Sequence, residues 1–243
     1  MASNEQSVLA TVDTFLASFS DVQPPFTATL THVQPDSNAV LSHPSGIIQS
    51  TLAQLVASWE DDLTEVYASG ATSASESTIA PEPQVWIAPS GDFAAVWTGF
   101  GFKINGDEKI RGVYALSFTK TKDNKWTLTS LADKMWRSSE ETPAAVASAE
   151  DLTGPVEAFL VAMTADRTAE AEALLLPGGG ATLGGVPQSW TETVAAFKTR
   201  SFSATSSGWV HRTVADVGFV WTGEAAFTLL SKDGKWYISG VQA

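Results

Sequence analysis

Val8, Val12, Phe15, Leu16 and Phe19 recur at the 3.6-residue spacing of one helix face and predict an amphipathic helix over Ser7 to Phe19. A second stripe, Leu52, Leu55, Val56, Trp59 and Leu63, predicts a longer helix near Thr51 to Val66. Between them Ala39 to Ser42 reads as a short strand, and Pro44-Ser45-Gly46 leads from it into the second helix. Downstream the pattern changes to strands: Gln84 to Ala88, Phe93 to Ile104, Ile110 to Thr121 and Trp126 to Trp136. Asn105-Gly106-Asp107 and Lys122-Asp123-Asn124 carry turn chemistry between them. The Ser- and Ala-rich tract Ser69 to Ser77 fits a loop or an edge strand, and its period does not decide.

The same plan then repeats. Val12-Asp13-Thr14-Phe15-Leu16-Ala17 matches Val156-Glu157-Ala158-Phe159-Leu160-Val161, and Val96-Trp97-Thr98-Gly99 returns as Val220-Trp221-Thr222-Gly223. Pro35 with Ala39, Val40 and Leu41 matches Pro177 with Ala181, Thr182 and Leu183, and Lys125-Trp126-Thr127-Leu128 matches Lys235-Trp236-Tyr237-Ile238. The second copy has predicted helices at Leu152 to Thr164, Ala169 to Leu176 and Ser189 to Lys198. Its predicted strands are Trp209 to Arg212, Gly218 to Leu230 and Trp236 to Val241. The interval from Trp221 to Trp236 is about half that from Trp97 to Trp126, a loss of about one hairpin arm. The organisation expected is a first unit over 1–137, a Ser/Glu/Ala-rich linker over 138–149 and a shortened second unit over 150–243.

Helices first, then a curved antiparallel sheet ending in a Lys-Trp strand, make each copy an α+β roll. The Val12 to Phe19 helix, the Pro35 to Leu41 entry, the Thr51-Leu52 helix start, the Phe93-Ala94-Ala95-Val96-Trp97 strand and the closing Asn124 to Asp133 segment resemble the nuclear transport factor 2-like superfamily, in its SnoaL-like branch. That resemblance implies a cone-shaped fold with an apolar pocket between helices and concave sheet. It also implies pairing through sheets, which a tandem chain satisfies internally as a pseudo-dimer, so a monomer is expected. Enzymes of this kind, polyketide cyclases, ketosteroid isomerases, dehydratases and epoxide hydrolases among them, work by acid–base chemistry in a dry pocket, with no metal or organic cofactor. Other members bind or assemble without catalysis.

Composition narrows the partners. The 243 residues carry a formal charge of −13, which disfavours nucleic acid and anionic membranes, and 44% hydrophobic residues with nine tryptophans fit a folded chain. Without cysteine there is no disulfide, thiol nucleophile or thiolate metal site. The opening Met1-Ala2-Ser3-Asn4-Glu5-Gln6 lacks signal-peptide character and no run is long enough to span a bilayer, so a cytoplasmic protein is expected. Pro177-Gly178-Gly179-Gly180 lacks the Lys and helix start of a phosphate loop, and no His or acidic cluster has metal-ligand spacing.

The candidate chemistry is sparse. Asp133, among Leu131, Ala132 and Met135, has the apolar setting that raises a carboxyl pKa and suits general acid or base work, or it pairs in solvent with Lys134 or Arg137. Tyr114 falls opposite Asp133 if Asp123-Asn124 forms a tight turn, where it donates to a developing oxyanion or simply fills a strand position. His43 follows the first strand, as a proton carrier at the pocket rim or as a loop histidine. For substrate binding the candidates are Arg111, which alternation places on the face opposite Tyr114, Asp13 beside the first helical stripe, and Trp97 and Trp59 as apolar lining. His43, Tyr114 and Asp133 are replaced by Gly185, Ala225 and Ala243 in the second copy, so any chemistry is expected in the first, with Asp133, Tyr114 and His43 converging on one cavity. Two readings stand: a cofactor-free enzyme acting on a hydrophobic polyketide or terpenoid intermediate, or a noncatalytic module that binds a small apolar ligand or a protein.

Overall fold

The computed structural model describes residues 3–43, 45–199 and 206–243; the leading Met1-Ala2 and Pro44 lie outside it. Each half builds one six-stranded sheet with helices laid on one face. In the first half these are α1 (Asn4–Ala17), β1 (Asn38–His43), β2 (Gly46–Thr51), α2 (Leu52–Ala68), β3 (Ala74–Ile87), β4 (Phe93–Ile104), β5 (Asp107–Lys120) and β6 (Trp126–Arg137). In the second they are α3 (Ala149–Thr164), α4 (Thr168–Glu172), β7 (Leu175–Leu183), β8 (Val186–Gln188), α5 (Trp190–Phe197), β9 (Val210–Val214), β10 (Val217–Trp221), β11 (Ala226–Lys232) and β12 (Lys235–Gln242). Strand order is β2-β1-β6-β5-β4-β3 in one sheet and β8-β7-β12-β11-β10-β9 in the other, so the two have the same topology. In each, the first strand runs parallel to the last and the remaining pairs are antiparallel. The chain is two tandem α+β rolls.

Capping chemistry fixes where the longer helices begin. Ser3 with Gln6, Thr51 with Gln54, Ser148 with Asp151 and Ser189 with Glu192 form capping boxes for α1, α2, α3 and α5. Each satisfies backbone donors that a helix start leaves open. Val8, Val12, Phe15 and Leu16 of α1 and Leu52, Leu55, Val56 and Leu63 of α2 are buried against the inner sheet face, as their periodicity predicts. No helix among the described residues is long and apolar enough to cross a membrane.

Several sequence expectations change. Ser45-Gly46 does not lead straight into α2; β1 doubles back into β2, with His43 paired to Gly46. The adjacent Ile47 and Ile48 hid this strand, because one packs toward the second roll and the other faces the helices, leaving no alternation to read. The undecided Ser69 to Ser77 tract contributes the start of β3, a 14-residue edge strand interrupted at Ala80 to Pro83 by a shift in register. In the second roll the Ala169 to Leu176 segment divides into α4 and the start of β7, and α5 is only eight residues long. Gly218 to Leu230 is two strands with a turn at Thr222 to Ala225. No strand is lost there. The arms are shorter, β10 and β11 having 5 and 7 residues where β4 and β5 have 12 and 14.

The outer faces of the two sheets pack on each other. Phe93, Ala95, Trp97, Val113, Ala115, Ala132 and Trp136 meet Phe219, Trp221 and Ala226 in one buried cluster. Trp86 stacks on Phe219 at 5.3 Å between centroids and Phe93 on Trp221 at 5.5 Å. The alanines leave room for the sheets to approach around these rings. Ser37 and Thr182 hydroxyls, 3.1 Å apart, and the Asn38 amide donating to the Ser239 carbonyl at 3.2 Å satisfy polar groups along the seam. The second roll therefore covers the outer face of the first and leaves the helix-bearing face to build a pocket.

Candidate functional site

That face encloses a cavity of about 570 Å³ beneath α2 and the segment after α1. Phe19, Leu55, Trp59, Leu63 and Val66 form its helical wall, and Leu41, Phe100, Phe102, Ile110 and Met135 its floor. The polar side chains reaching it are few: His43, Ser50, Gln54, Ser58, Asp62, Glu76 and Lys109. Glu76, Phe100, Phe102, Ile104, Lys109 and Ile110 come from the ends of β3, β4 and β5, beyond the point where the second roll's arms stop. The longer hairpin thus builds the cavity's far wall.

The sequence did not single out Glu76, yet it is the most perturbed acid facing the cavity. Its edge strand is tied to the end of α1 by Ser20, whose hydroxyl donates to the Glu76 carbonyl at 3.0 Å and accepts from its N–H at 2.9 Å. Pairing with Phe102 turns the side chain inward. Oε1 accepts a hydrogen bond from the Tyr114 hydroxyl at 2.7 Å. Although Glu76 as a whole residue is only partly buried, its carboxyl is desolvated, and this pushes its pKa up to about 8. The Tyr114 hydrogen bond works against the rise and the nearby Asp133 adds to it. Tyr114 is itself held well above the usual phenol range by burial and by Glu76 and Asp133. The available signal was Ala74-Ser75-Glu76-Ser77-Thr78, in which Glu76 shares an alternating face with Ala74 and Thr78.

Tyr114 and Asp133 are directly opposite each other on β5 and β6, but not through a two-residue Asp123-Asn124 turn: the pairing at the turn is Lys120 with Trp126, and a shift in register between Ser117 and Phe118 brings Tyr114 opposite Asp133. Phe100 lies flat on the Tyr114 ring, centroids 4.0 Å apart and planes 17° from parallel. That position exists because residue 112 is glycine: a Cβ there meets the Phe100 ring at 2.3 Å. Asp133 is 2% exposed, and its other neighbour, across the parallel pairing, is Leu41. Its Oδ2 stands 3.7 Å from Nε2 of His43, too far for a hydrogen bond but close enough for an ion pair. Burial raises the Asp133 pKa, opposed by His43, the Ser42 backbone and Lys134. Oδ1 of Asp133 and Nε2 of His43 are buried with no hydrogen-bond partner among the described residues.

The predicted residues therefore divide. His43 and Trp59 line the cavity, while Asp133 and Tyr114 lie beneath its lining, beside His43 and Glu76 respectively. Asp133, Tyr114 and His43 are brought together, but they do not all face the cavity. Arg111 is on the opposite face, ion-paired with Glu108, and borders a separate cavity of about 310 Å³ with Val113 and Trp136. Asp13 is exposed on α1 and is not among the residues that line the cavity. Trp97 is buried between the sheets, 6.2 Å from Phe219, so it belongs to the packing of the rolls. Alternation accounts for both positions: Arg111 has the outward parity already expected of it opposite Tyr114, which removes it from this cavity, and Trp97 has the same outward parity. Among the described residues no three His, Cys, Asp or Glu side chains are grouped so as to hold a metal ion.

No protein-family model matches the chain, and neither does any curated protein. Solved structures are similar in fold at low identity. A conserved protein from Planctomyces limnophilus is 13% identical with a TM-score of 0.43, over 55% of this chain and 97% of that one. An NTF2-like protein of unknown function from Shewanella baltica is 10% identical with a TM-score of 0.38, over 55% and 94%. A protein of unknown function with a cystatin-like fold from Nostoc punctiforme is 11% identical with a TM-score of 0.40, over 55% and 92%.

Proposed function

We propose that the chain is a tandem NTF2-like protein of SnoaL-like type whose first roll, residues 1–137, is a cofactor-free acid–base catalyst for a small apolar molecule of polyketide or terpenoid character. In this reading residues 138–149 link it to a packing partner, residues 150–243. The observation that carries the proposal is the convergence of two ionisable pairs, Tyr114–Glu76 and His43–Asp133, on one largely apolar cavity. A noncatalytic pocket for an apolar ligand has no use for two buried acids, each of which opposes folding when charged.

The roles follow from the environments. At neutral pH Glu76 is mostly protonated, and with Oε1 occupied by Tyr114 its other oxygen, which has no partner among the described residues, donates to a substrate oxygen. His43 exchanges a proton with the substrate, and Asp133 steadies the imidazolium that forms once the pair closes from 3.7 Å to hydrogen-bonding distance. The apolar wall excludes water, which strengthens both interactions. Donation at one point and abstraction at another fit isomerisation, dehydration, aldol-type cyclisation or epoxide opening.

The test is a panel of cyclic enones, β-hydroxyketones and epoxides of drug-like size, assayed for turnover with the wild type, Glu76→Gln and His43→Gln. Turnover of one class, lost in both variants while each still binds the molecule, supports the proposal. Binding with no turnover of any class by the wild type turns the reading to a ligand-binding module.

A further inference from the structure

We infer that Asp216, a residue of the second roll, is a positioning residue for the site of the first: from behind the sheet it holds Ser42 and Lys134, the chain neighbours of His43 and Asp133, and cancels the Lys134 charge. The inference rests on the reading of His43–Asp133 as the proton-transfer pair.

Asp216 sits between β9 and β10, after Ala215 in the left-handed region at φ 48°. The turn is pinned to the segment joining the rolls, Ala215 N–H donating to the Ala144 carbonyl at 3.1 Å. From there Oδ2 accepts from the Ser42 hydroxyl at 2.7 Å, and Oδ1 is 2.9 Å from the Lys134 ammonium. Lys134 also donates to the Ser42 hydroxyl at 3.1 Å. Ser42 and Lys134 are register partners on the parallel strands β1 and β6, one residue along from Leu41 and Asp133. Because side chains alternate, Ser42 and Lys134 point to the second roll while His43 and Asp133 point to the cavity face. One carboxylate thus clamps both strands at the level of the pair.

The electrostatics follow from burial. The Lys134 side chain is 16% exposed, so its charge is weakly screened, and it favours the ionised form of Asp133. Asp216 offsets it. The other titratable groups around Asp133 are His43 on β1, Tyr114 on β5 and Glu76 on β3, with Asp62 of α2 and Lys109 of β5 lining the cavity above. None of these contacts Asp216. The repeat relation makes the device one-sided: Asp92 occupies the matching turn in the first roll, but it bonds locally with Ser90, and Gly184 stands where Ser42 does.

The experiment is an NMR pH titration of the His43 ring in the wild type, D216N, K134M and the double variant. D216N keeps the Ser42 bond and leaves Lys134 uncancelled, so the apparent midpoint of the pair falls. K134M moves it upward by a similar amount, and the double variant returns close to the wild type. An unmoved midpoint in D216N, or a double variant that keeps the full K134M rise, overturns the inference. Should D216N fail to fold, K134M alone tests the same relation, and a midpoint that does not rise counts against it. The titration requires no turnover, so loss of the proposed catalysis and loss of this coupling are read separately.

Discussion

The Tyr114 hydroxyl lies 2.7 Å from Oε1 of Glu76, joining an interior strand to the edge strand at the far end of the cavity. A phenol donating to a carboxyl that desolvation has pushed up to about 8 makes a neutral acid at physiological pH. Proton linkage gives this a sign. Folded Glu76 keeps its proton up to about pH 8, whereas the unfolded chain releases it near 4.5. Between those values the unfolded state binds fewer protons, so the Glu76 contribution to stability falls as pH rises through the window and is flat above it. Urea midpoints measured from pH 5 to 9 should decline more steeply for the wild type than for Glu76→Gln; equal slopes would show that Glu76 is not held neutral.

Tyr114→Phe separates the hydroxyl from the ring. Phe keeps the stack on Phe100 and removes the bond that restrains the Glu76 pKa, so the Glu76 titration should move above about 8. The variant should lose about 1 kcal/mol, typical of one hydrogen bond. Difference infrared spectra of the protonated carboxyl across pH 7 to 10 would follow the shift, and a downward movement would contradict it.

Asp133→Asn preserves shape and removes the group beside His43. Under the proposed mechanism turnover should fall about a hundredfold, with ligand affinity changed little and circular dichroism intact. Activity near the wild-type level would remove Asp133 from the mechanism and leave Glu76 as the sole acid.

The sequence carried the fold further than it carried the site. Strong single-face periodicities, such as Val8 to Phe19 and Leu52 to Leu63, translated directly into buried helix faces. The Tyr114–Asp133 pairing was expected from a two-residue turn, whereas it depends on a shift in register between Ser117 and Phe118 that alternation does not reveal. Glu76 was not legible: it lies on an edge strand of Ser, Thr and Ala whose inward face is defined by Phe100 and Phe102, residues more than twenty positions away. Trp97 misled for a related reason. A tryptophan on a strand fits a ligand pocket and a sheet interface equally well, and only the presence of the second sheet decides.

Trp97 and Trp59 accordingly predict opposite behaviour. Trp97→Ala opens a void between the sheets and should destabilise by about 3–5 kcal/mol. Trp59→Ala should be milder, since that side chain is only partly buried at the cavity wall. In fluorescence titrations with an apolar ligand, loss of Trp59 should abolish most of the quenching, whereas an unchanged signal would place the ligand elsewhere.

Pairing of the two outer faces leads to the last prediction. The cluster of Phe93, Trp97, Trp136, Phe219 and Trp221 covers an apolar sheet surface that a single roll would leave exposed to solvent. With that surface covered inside one chain, the protein should be monomeric, and light scattering at low micromolar concentration should return a mass near 25.7 kDa. Trp221→Asp, which sets a charge against Phe93 in the seam, should lower the urea midpoint sharply and promote self-association as the apolar face is exposed. A wild-type chain that scatters as an obligate dimer would mean that the inner seam does not replace pairing between chains. A Trp221→Asp variant as stable as the parent would show that the two rolls are held together elsewhere.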